Sequence, residues 1–561
     1  MRQPSTDRGK LYLGAEYDAA SGGILDRPVY LDAADLVTHG VCIGMTGSGK
    51  TGLCVGLLEE CALAGVPALI IDPKGDMANL ALVFPELDAA SFRPWIEEES
   101  ARREQLAPDD YAAREAEKWR RGLADWGIGG ERLRRLRERA EVTVFTPGST
   151  AGTPLDILSS FDAPADASTI EPELLRERIA GTVAALLGLV GGKAPSPQDR
   201  EHILLATILE QRWIEGLRTS LADLINLIQS PPFSKLGAIA LESFFPEDDR
   251  RELAFELNAL VASPSFQTWL EGEPLDIERL LRTPDGRPRL SICTLSHLGD
   301  AERMFFVSLL LNQYLGWMRR QSGTSSLRAL LYFDEIFGYL PPHPRNPPSK
   351  RLLLTILKQG RAFGASAMMV SQNPVDLDYK ALANCGVWLL GKLQTEQDKA
   401  RILDGLEGAI GEQGQSASHS QLDRMLGALG SRVFLLHNIH AGQPRVLHSR
   451  WAMSYLAGPM TRNQIARLKE SAAAAAQPDA DNAQPDARAA TLDDFLGAAA
   501  DTDSGGLLNV PPTPPPGLSA RFALPGDARP VAAASLYAVA SIVFRDRGSP
   551  APLSRAVTLV I

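Results

Sequence analysis

Gly44-Met45-Thr46-Gly47-Ser48-Gly49-Lys50-Thr51 is the stretch whose reading decides the fold, because it fits the phosphate-binding pattern G-x-x-x-x-G-K-[ST] at every fixed position. Before it stands the apolar run Val41-Cys42-Ile43. After it come Leu53, Val55, Leu57 and Leu58 at helical spacing. Strand, glycine turn and helix therefore follow in the order that anion binding requires. Glycines at 44, 47 and 49 let the backbone turn sharply and aim successive N–H groups at a phosphate, and the helix N-terminus adds its dipole. The bland alternative is a glycine turn that only joins a strand to a helix, and the flanking pattern argues against it. Residues 44–52 (Gly44, Met45, Thr46, Gly47, Ser48, Gly49, Lys50, Thr51 and Gly52) are the expected nucleotide-binding segment. Within it Lys50 would reach the β- and γ-phosphates, and Thr51 would ligate Mg²⁺.

Working outward, Ala68-Leu69-Ile70-Ile71-Asp72 is a continuous apolar run, as in a strand buried on both faces of a parallel sheet. It ends in the polar loop Asp72-Pro73-Lys74-Gly75-Asp76, read either as a functional strand end or as a solvated turn. Val142–Phe145, Leu290–Cys293, Leu330–Phe333, Ala367–Val370, Val387–Leu390 and Val433–Leu436 continue the strand series, and helical patterns separate them. The expected class is α/β with a mostly parallel sheet.

Leu330–Phe333 runs into Asp334-Glu335. Paired carboxylates at a strand end supply what a phosphate loop lacks for hydrolysis: Asp334 as metal anchor and Glu335 as base toward water. The lesser alternative is a helix cap. Gln372, at the end of the next apolar strand, is placed to sense the γ-phosphate or orient water. Arg361, in Lys358-Gln359-Gly360-Arg361-Ala362-Phe363-Gly364, either stabilises its own helix terminus or acts as a finger on a neighbouring subunit. Arg132, Arg134 and Arg135 read as a surface face laced with ion pairs more readily than as a DNA contact.

The 561 residues exceed one core, and 45% hydrophobic with 22% charged residues is the balance of a soluble globular protein. No apolar run suits a membrane span and no signal core follows Met1, so a cytoplasmic location is expected. Five scattered cysteines without a C-x-x-C pair read as buried thiols. A net charge of −11 argues against a globally basic nucleic-acid binder but leaves a basic pore open. The expected organisation is a short N-terminal β segment (1–40), a first core part (41–160), a helical insertion (161–285) and a second core part (286–465). An Ala/Pro-rich disordered linker (466–520) and a small β unit (521–561) that ends inside an apolar run complete it.

Taken in order, Thr46–Thr51, Ile71–Asp76, Phe333-Asp334-Glu335, Gly360–Gly364 and Ser371-Gln372-Asn373-Pro374 resemble the HerA branch of the HerA/FtsK ATPases over roughly residues 35–465. The resemblance implies a RecA-like core of the additional-strand, catalytic-glutamate type, a homo-hexameric ring, and ATP-driven DNA translocation or unwinding. It implies ATP and Mg²⁺ as ligands, and copies of itself, DNA and a nuclease or other effector as partners. By the same match Lys50 and Thr51 bind ATP and Mg²⁺, Asp334 assists the metal, Glu335 is the base, Gln372 the sensor and Arg361 the finger in trans. His39 falls where the family often has a basic residue near the nucleotide. Only about forty residues precede the phosphate loop, fewer than the β-barrel usual in the family. A motor that moves polypeptide and a nucleotide-switched scaffold are the two other readings.

Overall fold

A computed structural model describes residues 9–157, 161–164, 171–191, 196–411, 419–441, 443–476, 537–544 and 553–560. Two units separate, Met1–Pro478 and Asp479–Ile561. The first is built on an eleven-stranded sheet. Its strands are β1 (Lys10–Asp18), β2 (Gly23–Asp32), β3 (Gly40–Ile43), β4 (Ala68–Asp72), β5 (Glu141–Phe145), β6 (Arg289–Thr294), β7 (Ala329–Phe333), β8 (Ala365–Ser371), β9 (Val387–Leu390), β10 (Val433–Asn438) and β11 (Arg445–Ser449).

Their order across the sheet is β2-β1-β11-β10-β9-β3-β8-β7-β4-β6-β5. From β9 to β5 every pairing is parallel. The remaining four strands add antiparallel at one side. The expected extra strand is β8, which lies between β3 with its phosphate loop and β7 with its carboxylates. This is the mostly parallel P-loop fold.

Alternation along the strands explains why the central ones read as unbroken apolar runs. In β4, Leu69 and Ile71 enter one core and Ala68 and Ile70 the other. One core is closed by α1 (Lys50–Ala64), α2 (Pro108–Ala124) and α3 (Gly130–Arg139), whose buried residues include Leu57, Trp119 and Leu133. The opposite core takes α4 (Pro172–Gly191), α5 (Arg200–Ile214), α6 (Leu221–Gln229) and α7 (Glu247–Ala262), together with α8 (Asp300–Arg319) and α9 (Pro348–Phe363). The helical segment is thus no independent unit: Val183, Leu204 and Leu224 share a core with Val41 and Leu331 of the sheet.

Residues 466–476 were expected to begin the linker, but α10 (Arg462–Ala476) spans them, since alanine is the best helix former and composition alone hides that. The rest of that linker lies outside the described residues. In the second unit Tyr537–Phe544 and Leu553–Val560 pair antiparallel. Among the described residues no helix is long and apolar enough to cross a membrane.

Candidate nucleotide-binding site

Parallel strands deliver their C-terminal ends to one edge of the sheet, and the loops after β3, β4, β7 and β8 meet there. Gly47 (φ 79°) and Gly49 (φ 92°) adopt left-handed backbone that only glycine takes without strain. A Cβ at Gly47 would meet nothing within 4 Å, so the loop is an open cradle. Gly49 caps α1, whose first residue is Lys50. The Lys50 ammonium donates to the carbonyls of Gly44 and Met45, the latter at 3.1 Å, so it is folded back onto its own loop. Ser48 is buried, with its side chain toward Gly44 and Gly391 instead of the cleft.

A polar chain crosses the strand ends. Thr46 Oγ1 donates to Gln372 Oε1 at 2.8 Å, Gln372 Nε2 donates to Glu335 Oε2 at 3.0 Å, and Lys74 Nζ donates to the same oxygen at 2.8 Å. Loop, sensor position, base position and the β4 loop are therefore physically linked. Glu335 holds φ at 43°, a left-handed conformation that costs a non-glycine residue about 1 kcal/mol or more. Asp72 accepts the N–H groups of Lys74, Gly75 and Met77 at 3.2, 2.7 and 2.9 Å and so shapes the turn that brings Lys74 to Glu335. Burial pushes the Asp72 carboxyl up to about 7, with Asp334 adding to the effect.

Asp334 is 8% exposed, and Tyr332 donates its hydroxyl proton to Asp334 Oδ1 at 3.1 Å. Burial raises the Asp334 carboxyl to about 6; the Tyr332 hydrogen bond opposes the rise, and the charges of Glu335 and Asp76 add to it. A desolvated carboxylate beside other carboxylates is a donor suited to a hard divalent cation. Asp334 and Thr51 line the same cleft of about 580 Å³ as Thr46, Lys50, Glu335 and Gln372. A hydroxyl and a carboxylate beside an open phosphate cradle fit Mg²⁺ and a nucleotide triphosphate.

Arg361 lies elsewhere. It is exposed at the C-terminal end of α9, in a separate cleft with Asp35, Thr38, Lys358 and His440, at the other ends of the strands. His39 is a correction: at 1% exposure it accepts the Ala367 N–H on Nδ1 at 3.0 Å, so it ties β3 to β8 and faces no nucleotide. Burial holds its imidazole down at about 4. Arg132 is likewise internal, donating to Glu60 at 2.8 Å, while Arg134 meets Glu86 at 3.6 Å on the surface. Arg432 and Trp451 also line the 580 Å³ cleft, and no motif in the sequence pointed to them.

Residues 12–114, which contain the phosphate loop, match the family described as "Helicase HerA, central domain". No curated protein sequence matches. Among solved structures, VirB4 of Thermoanaerobacter pseudethanolicus aligns at 14% identity over 80% of this chain and 99% of that one, with a TM-score of 0.46. The plasmid coupling protein TrwB in complex with ADP and Mg²⁺ aligns at 12% identity over 77% and 90%, with a TM-score of 0.43. The genome packaging NTPase B204 from Sulfolobus turreted icosahedral virus 2 aligns at 10% identity over 30% and 70%, with a TM-score of 0.21. With its full phosphate-loop motif inside a HerA-type segment, the chain is a P-loop ATPase.

Proposed function

We propose that this ATPase is a motor of the HerA/FtsK type that assembles as a homo-hexamer and translocates or unwinds DNA. The observation that carries the reading is the Thr46–Gln372–Glu335–Lys74 chain, which joins four strand ends at the phosphate loop. A mere nucleotide-binding switch does not need a base position wired to the loop. Lys50 leaves the Gly44 and Met45 carbonyls for the β- and γ-phosphates, and the loop N–H groups cradle them. Thr51 and Asp334 would hold Mg²⁺, which would offset charge on the phosphates. Glu335, released from Lys74, accepts a proton from the attacking water, and Gln372 reports the state of the loop to it.

Arg361 sits away from its own phosphate loop, which supports a role toward a neighbouring subunit. The cytoplasm is the compartment where such a ring would meet DNA, with a nuclease or other effector as a further partner. A motor for polypeptide is the second reading, favoured by Phe337, Val375 and Tyr379, which are 60%, 46% and 56% exposed on the segments that follow Glu335 and Gln372. ATP turnover with and without double-stranded DNA across a salt series separates the two. DNA should raise the rate, and the rise should fade with salt as phosphate contacts release counterions. A rate indifferent to DNA at low salt would move the assignment to polypeptide.

A further inference from the structure

Arg432 is a cation that the ATPase chemistry above leaves without a task. Its backbone is pinned to the phosphate loop: its N–H donates to the Ser48 carbonyl at 2.8 Å, and its carbonyl accepts the Ser449 N–H at 2.9 Å. The pinning holds φ at 61°, a value uncommon for a residue other than glycine. Its stem lies directly against the loop, since a Cβ built on Gly49 would stand 3.0 Å from Arg432 Cγ. The guanidinium donates to the Ser449 carbonyl at 3.0 Å and lies over the Trp451 ring, 4.8 Å from its centroid. Trp451 is itself backed by Gly122, where an added Cβ would come within 2.6 Å of the indole.

What is missing is an anion. Among the described residues no carboxylate pairs with Arg432, and desolvation is the one influence on its proton affinity, lowering it. A cation taken partly out of water stays charged at a cost unless a negative group joins it, and aromatic stacking compensates only part of that. The place where it waits is the wall of the nucleotide cleft, beside Gly49 and Lys50. A strained backbone, a stacked and oriented guanidinium and an absent counter-charge share one explanation.

We propose that Arg432 is a further nucleotide-binding residue, supplied by the same subunit, whose guanidinium donates to the phosphate chain of the nucleotide held by the loop. The assignment rests on the reading of the loop as an ATP site. Planar, charge-assisted donation to phosphate is what arginine does best, and the Trp451 ring fixes its plane.

The test compares ATP with inorganic tripolyphosphate, which carries the phosphates and no base. Arg432→Gln should weaken both by a similar factor, on the order of tenfold or more. Arg432→Lys keeps the charge but loses the planar fork and its stacking, so it should weaken tripolyphosphate binding by less than about tenfold, and by less than Arg432→Gln does. It is also the safeguard should the glutamine variant not fold. Equal tripolyphosphate affinity for Arg432→Gln and the unmutated chain overturns the inference, as does a loss confined to ATP, which would make Arg432 a platform for the base. A loss for Arg432→Lys as large as for Arg432→Gln overturns it too, because packing and not charge would then matter. If the unmutated chain binds neither ATP nor tripolyphosphate, the loop assignment itself fails, and the two failures are thereby told apart.

Discussion

At the scale of single residues, the proposed roles of Lys50 and Glu335 separate holding phosphate from activating water. Lys50→Ala removes the cation at the loop and should abolish tight ATP binding. Glu335→Gln keeps the size and the hydrogen bond to Gln372 but cannot take a proton, so it should bind ATP and turn over about 10²–10⁴-fold more slowly. Equilibrium binding beside steady-state hydrolysis checks both, and equal ATP affinity for Lys50→Ala and the unmutated chain would remove the loop from the mechanism. The loop and Asp334-Glu335 were legible in sequence because spacing and strand context are fixed by local backbone geometry. Lys74 was half legible, since a turn and a functional loop share one composition. His39 misled, because burial depends on β8 and α9, far away in the chain. Its imidazole, held at about 4 against an ordinary value near 6.5, makes a pH prediction. Below pH 6.5 the unfolded chain binds a proton that the folded chain refuses, so stability falls with pH until about 4. Between pH 7 and 5 this group alone should cost about 2 kcal/mol. His39→Gln, whose amide oxygen can still accept the Ala367 N–H, should lose less thermal stability over that interval. Parallel melting of the two chains at pH 7 and 5 decides it, and identical losses would refute the buried neutral imidazole.

At the scale of elements, α1 poses a problem that its sequence does not reveal. It carries Glu59 and Glu60 in its interior-facing middle, 0% and 3% exposed. Arg450, just past the end of β11, answers both, at 2.9 Å from Glu59 and 3.1 Å from Glu60. It also donates to the carbonyls of Tyr12 on β1 and Gly56 on α1 at 3.0 and 2.8 Å. Glu59 in turn accepts the Met453 and Ser454 N–H groups at 3.1 and 2.7 Å. One guanidinium therefore fastens the helix behind the phosphate loop to the antiparallel side of the sheet. Arg450→Met should destabilise the protein by about 3–5 kcal/mol, because the buried Glu59 loses its counter-charge while Glu60 keeps only Arg132. Adding Glu59→Gln and Glu60→Gln should recover part of that loss, and a melting point unchanged by Arg450→Met would disprove the network's role. Strands buried on both faces were legible because they need unbroken apolar runs. β11, Arg-Val-Leu-His-Ser, was missed because its partners, and not its composition, make it a strand. The same blindness hid Arg432: nothing near residue 432 in the chain says that it lies on residue 49.

At the scale of the whole molecule, the polarity of the sheet sets what one subunit can do alone. The phosphate loop lies at the C-terminal end of β3, whereas Arg361 precedes the N-terminal end of β8, its parallel neighbour. Seven residues of strand separate Arg361's end of β8 from Gln372, a span of about 20 Å. A guanidinium cannot bridge that distance within one chain, so a catalytic Arg361 must serve another subunit's phosphates. Arg361→Ala should then leave ATP binding nearly intact and slow turnover on the order of 10³-fold or more, since a finger matters as charge develops on the transferring phosphate. Mixed with Lys50→Ala subunits, it should regain part of the activity. Some interfaces in a mixed ring then pair an intact loop with an intact arginine. Subunit exchange followed by labelled chains is the necessary control, and turnover per mixed ring is the measurement. The alternative, that Arg361 only steadies the C-terminal end of α9, makes the opposite forecast: a lower melting point, little change in turnover and nothing to complement. A chain that stays monomeric and hydrolyses ATP at its full rate at every concentration would end the case for a finger in trans, and with it the strongest structural reason for expecting a ring.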